Sequence, residues 1–208
     1  MIPAVALDLL YSAPATFLLL LLNVFVGVYT LLFDASVVGK WAFRPYLVKH
    51  EREWGRVLSA GFVHVGLAHL VFNMVTLFFF GPFVEGRLGS FAFLLVYFGS
   101  EVAANALTYA RYRNDPKYSA VGASGAISGV LFSFILFRPF DLIYIFFSIP
   151  MPAVLFAVLY VVFSIYAAKQ GGGYVAHEAH LGGALGGVLV TVLLYPSVLG
   201  LFLRQLGF

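Results

Sequence analysis

With 208 residues, 62% of them apolar and only 10% charged, the sequence lies far from soluble domains, where about a quarter of residues carry charge. It reads as a membrane protein forming one domain over residues 1–208. The absence of cysteine excludes disulfides, thiolate catalysis and cysteine-bound metal, and leaves serine, histidine and carboxylates to carry any chemistry. The net charge of +3 comes from basic residues scattered through loops, which suits lipid head groups and argues against nucleic acid.

Leu9 to Phe33 is an uncharged run long enough to cross a hydrocarbon core of about 30 Å at about 1.5 Å per residue. Met1 to Ser12 holds no Lys or Arg, unlike the start of a cleaved signal peptide, so a retained first helix is expected. Asp34 to Arg56 mixes five basic and three acidic residues with Trp41, Phe43, Tyr46 and Trp54, the composition of a loop lying in the membrane interface. Val57 to Val84 is again uncharged but carries His64, His69 and Asn73, groups that must face protein or water to be tolerated in a span. Leu88 to Ala110 supplies span three, with Glu101 as its one buried charge and no evident partner for it, and Arg111 to Lys117 is a polar loop. Tyr118 to Phe137 supplies span four. Pro150 and Pro152 delay span five to about Met151, Lys169 to Gly173 is a loop, and span six runs from about Ala179 to Leu203. The expected fold is therefore an all-α membrane protein with a bundle of six transmembrane helices and an interfacial first loop.

Gly122-Ala123-Ser124-Gly125 sets a hydroxyl among residues without bulk, as a nucleophile approached by a peptide carbonyl requires; a close-packed helix interface would want the same residues. Gly183 and Gly187 form a GxxxG face suited to Gly125 and Gly129, which would carry His180 toward Ser124. A neutral imidazole there could take the hydroxyl proton, although a histidine at a helix start also serves as a cap. His69 and Asn73, four apart, share one helix face and could aim donors at an oxyanion, together with the Ser124 amide, or simply bond between helices. Costly polar groups at compatible depth on spans two, four and six favour the catalytic alternative.

His64, the run His69-Leu70-Val71-Phe72-Asn73, Glu85 with Gly89, Gly122-Ala123-Ser124-Gly125, and Ala179-His180 with Gly183 and Gly187 resemble, in order and spacing, the rhomboid family of intramembrane serine proteases. The resemblance covers most of the chain. It implies a Ser124 and His180 dyad without an acidic third member or cofactor, and an oxyanion site of His69, Asn73 and the Ser124 amide. It also implies a transmembrane-helix substrate cut near the membrane surface after entering between spans two and five. Phe156, Tyr160 and Phe163 would offer a bulky face at that entrance, a face that lipid contact would equally explain.

The chain departs from the family pattern in reading Trp54-Gly55-Arg56 where Trp usually precedes Arg directly, and Ser128 where some members pack an aromatic on the histidine. His177-Glu178-Ala179-His180 is a poor zinc motif, because its histidines stand three apart rather than four and no third ligand is evident; no metal is expected. An inactive rhomboid-like protein that binds or moves membrane helices is the alternative function, and no pair of interrupted helices suggests a transporter. The expected location is the cell membrane. Loops one, three and five hold nine Lys or Arg against Arg87, Arg138 and Arg204 on the other side, which by the positive-inside rule would face the cytoplasm, whereas the family arrangement faces them outward.

Overall fold

The computed structural model describes residues 4–145, 148–170 and 176–208. The chain opens with α1 (Ala4–Ser12) and restarts as α2 (Pro14–Leu32), with proline at the first turn, where no helical N–H is required. Loop one folds into α3 (Ser36–Trp41), α4 (Pro45–Glu51) and α5 (Arg56–Ser59), followed by a 3-10 turn over Ala60–Phe62. Arg56 holds this loop together by donating to the Gly39 and Ala42 carbonyls while pairing with Glu53, so the Gly55 insertion leaves the arginine anchored.

Next come α6 (Leu67–Leu88) and α7 (Ser90–Tyr112), joined at Gly89 with φ +82°, then α8 (Ser124–Phe137). Strands β1 (Leu142–Ile145) and β2 (Ile149–Pro152) form an antiparallel hairpin with Leu142 opposite Pro152, and lead into α9 (Ala153–Gln170). Finally α10 (His177–Leu194) gives way at Pro196 to α11 (Ser197–Gln205).

Among the described residues α2, α6, α7 and α10 are long and apolar enough to cross a membrane, while α8 and Ala153–Lys169 of α9 are shorter apolar helices. Several expected boundaries move. Span two was expected from Val57, yet α6 begins at Leu67, because residues 57–66 are spent on a short helix, a turn and a buried loop carrying His64. The helix expected over Tyr118 to Phe137 starts at Ser124, since Gly122 at φ +111° interrupts any helix there. Span six ends at Leu194 because Pro196 cannot continue it. The expected loop Lys169 to Gly173 falls in part on residues 171–173, outside the described ones.

The centre is α8, apolar on every side and buried over nearly its whole length, with α6, α7, α9, α10 and α11 against it. Close approach of α10 depends on glycine: a Cβ on Gly183 would stand 2.7 Å from the Gly125 carbonyl carbon, and one on Gly187 would stand 2.5 Å from that of Gly129. The two helix backbones therefore touch, in the register anticipated from the glycine spacing.

Candidate active site

Ser124 is the first residue of α8 and His180 lies in the first turn of α10. Because those helices meet glycine to glycine, His180 Nε2 comes within 2.9 Å of Ser124 Oγ, a hydrogen-bonding distance. Both side chains are part-buried.

The segment leading into Ser124 is held in an extended path. Phe43 and Ala120 exchange backbone hydrogen bonds of 2.9 and 3.0 Å, and Gly122 N donates to the Ala60 carbonyl at 2.9 Å. Loop one thus acts as the brace for the serine. Gly122 lies flat against His69, whose Nε2 would be 2.7 Å from a Cβ at that position. His64, fully buried, meets the His69 ring edge-on with centroids 5.1 Å apart, and so backs it from the protein side. Asn73 is buried one turn further along α6 and donates to the His69 carbonyl at 3.0 Å, which commits one of its two N–H groups to its own helix.

Glu85 lies elsewhere, near the far end of α6. Its carboxylate accepts from Ala15 N, Thr16 N, Thr16 Oγ1 and Ser90 Oγ at 2.7–2.9 Å, and so caps α2 while tying it to α6 and α7. Of the residues anticipated from sequence, Ser124, His180, Gly122, Gly125, His69 and His64 are gathered together, Gly183 and Gly187 create the approach, Asn73 adjoins, and Glu85 is remote.

Further residues belong to this region. Glu101 accepts from Ala126 N at 3.2 Å and from Asn105 Nδ2 at 3.0 Å, which puts a carboxyl at the α8 N-terminus beneath Ser124. Asn105 also donates to the Val57 carbonyl at 2.8 Å. Glu101, Asn105, Gly122, Ser124 and Gly125 line a cavity of about 20 Å³, the space of one water molecule. The i, i+4 spacing of Glu101 and Asn105 was the available sequence signal for this pair.

Tyr118 donates to Glu178 Oε1 at 2.7 Å and stacks on Tyr112 with centroids 3.8 Å apart. Burial, then the hydrogen bond to Glu178, push the Tyr118 phenol well above its usual range and keep it a donor. That bond engages the carboxylate nearest His180 in sequence. Tyr160, from α9, stacks on the His180 ring, while Phe163 is exposed and touches His177.

The family model of the rhomboid domain matches residues 51–197. YdcA of Bacillus subtilis (strain 168), which carries a rhomboid protease name, is 46% identical over 85 residues, 41% of this chain and 41% of its own. RHOMBOID-like protein 12, mitochondrial, of Arabidopsis thaliana is 28% identical over 143 residues, 62% of this chain and 43% of its own. Rhomboid protease GluP of Bacillus subtilis (strain 168) is 38% identical over 79 residues, covering 38% and 15%. A relative named Inactive RHOMBOID-like protein 8, from Arabidopsis thaliana, is 29% identical over 87 residues, covering 42% and 24%. The alignments take in less than half the length of each of these relatives. With the rhomboid domain spanning most of its length and apolar helices on either side of the Ser124 and His180 pair, this chain is an integral membrane protein that belongs to the rhomboid family.

Proposed function

We propose that the chain is an intramembrane serine endopeptidase that cleaves transmembrane helices of other proteins. The observation that carries the proposal is the 2.9 Å approach of His180 Nε2 to Ser124 Oγ. In this mechanism Ser124 Oγ attacks the scissile carbonyl while His180 Nε2 takes its proton, and the same imidazole then protonates the departing amine. The acyl bond left on Ser124 is hydrolysed by water, whose proton passes to His180 before Ser124 is regenerated. The oxyanion formed in both halves is met by the Ser124 amide, the His69 ring and the second N–H of Asn73, each donor contributing about 3 kcal/mol in a dry site.

Residues 1–208 act as one membrane domain with six spans, α8 and α9 being the short ones. At 14 residues α8 extends about 21 Å, against a hydrocarbon core of about 30 Å, so Ser124 at its start is recessed below the surface. Water reaches it through the polar floor of Glu101 and Asn105. Substrate enters sideways between α6 and α9, and the Ser124 end faces outward, with the charges of loop one held by its own packing rather than by topology.

The alternative, a rhomboid-like protein that only binds membrane helices, is prompted by the relative named inactive. Purified protein in detergent, given a labelled transmembrane substrate, separates the two. Ser124→Ala and His180→Ala are expected to abolish cleavage, and His177→Ala to retain it. Equal cleavage by wild type and both dyad variants would sink the proposal, and no cleavage by wild type of any helix tried, with retained binding, would favour the alternative.

A further inference from the structure

An imidazole that must accept a proton from one atom and return it to another needs its plane fixed, and the hydrogen bond to Ser124 fixes only one point of it. Tyr160 supplies a second. Its ring lies 6.1 Å from that of His180 at 27°, an offset stack, and is flanked by Phe156 and Phe132 at 5.6 and 5.5 Å. The Tyr160 hydroxyl stands 2.6 Å from Ser128 Oγ, which donates to the Ser124 carbonyl at 2.7 Å. Since the single Ser128 proton is committed to that carbonyl, the tyrosine is the donor. The chain runs from the α9 ring that covers His180, through Ser128, to the backbone of Ser124.

Resting on the dyad mechanism above, we infer that Tyr160 is a positioning residue for His180: its ring sets the imidazole plane and its hydroxyl, through Ser128, locks that ring to the Ser124 backbone. The aromatic support comes from α9, across the bundle, rather than from α8 itself. A gate residue and a positioning residue respond oppositely to truncation. Were Tyr160 only a barrier to lateral entry, shrinking it would speed cleavage.

The test measures kcat and KM separately on a transmembrane substrate, together with the Nε2 chemical shift of His180 in 15N-histidine-labelled protein. Tyr160→Leu is expected to lower kcat by about a hundredfold, the order of cost of a misplaced catalytic group, with little change in KM and with the Nε2 shift moved toward that of Ser124→Ala. Tyr160→Phe keeps the stack and is expected to lose about fivefold, the worth of one ordinary hydrogen bond, as is Ser128→Ala. The double variant Tyr160→Phe/Ser128→Ala should be no worse than Ser128→Ala alone, because that variant already removes the bond that Tyr160→Phe removes.

Unchanged or faster cleavage by Tyr160→Leu would overturn the inference, as would an unmoved Nε2 shift. Should Tyr160→Leu fail to fold, the hydroxyl cycle decides: additive losses, or none, overturn it. Cleavage that survives Ser124→Ala would instead remove the dyad mechanism itself, so the two failures are distinguishable.

Discussion

A side chain at Gly122 meets two obstacles at once. Its φ of +111° is a region that residues with a Cβ adopt only under strain, of about 1–3 kcal/mol, and the Cβ would press on the His69 ring, 2.7 Å from Nε2. Relief requires moving either the imidazole or the segment that ends at Ser124. Gly122→Ala is therefore expected to lower thermal stability and to cut fluorophosphonate labelling of Ser124 at least tenfold, whereas Gly39→Ala, with nothing within 4 Å, should change neither. Labelling of Gly122→Ala at the wild-type rate would remove Gly122 from the site. The motif around Ser124 was readable because small residues at fixed spacing declare close approach without reference to a fold. Sequence alone names no partner for Glu101 because one of its donors, Ala126 N, exists as a free N–H only once α8 begins at Ser124. Tyr160 could not be paired with His180 from sequence, since 20 residues separate the two and nothing local marks which face of α9 turns inward.

Between elements, the pairing of α8 with α10 carries the geometry of the site. A Cβ on Gly187 would stand 2.5 Å from the Gly129 carbonyl carbon, backbone that no rotamer change can move aside, so accommodation needs the helices to part by about 1 Å. Gly187 lies seven residues from His180, about 10 Å along the axis, and His180 rides on the same helix. Gly187→Ala is thus expected to reduce kcat by about a hundredfold while leaving helical content by circular dichroism unchanged. Gly86→Ala, at an exposed helical glycine with nothing within 4 Å, should keep wild-type kcat. Full activity in Gly187→Ala would mean that the dyad tolerates separation of its helices. The GxxxG spacing foretold this interface, but hydropathy misjudged where helices begin. Residues 57–66 are as apolar as a span, yet Gly61, His64 and Gly66 lie in a turn and a loop whose burial comes from neighbours distant in sequence. The hairpin at Leu142–Pro152 likewise hides in an apolar run, its strands being four residues each and showing no clean alternation.

Over the whole molecule, α6 joins two ends of opposite character. Toward one end His69 lies against Gly122, two residues before Ser124, with Asn73 one turn on; about 24 Å from His69 along the helix Glu85 gathers four donors from α2 and α7. The carboxylate faces the N-terminus of α2, where two backbone N–H groups have no helical acceptor and the helix dipole favours negative charge. Replacing it with an amide removes the charge and turns an N–H₂ group toward donors, which in a buried network costs about 3 kcal/mol. In a chain of this size that corresponds to a fall in melting temperature of about 5 °C or more. Glu85→Gln is accordingly expected to lower the midpoint of thermal unfolding in detergent by that amount while kcat, normalised to folded protein, stays within twofold of wild type. The midpoint follows from scanning fluorimetry and kcat from cleavage at a temperature well below it. An unchanged midpoint would show that α2 is held by its apolar face alone, and a large fall in kcat at full folding would mean that strain travels the length of α6 to the serine. The expected split locates stability and chemistry at opposite ends of one helix, which is how a site built on small, close-packed positions can persist in a bundle clamped elsewhere.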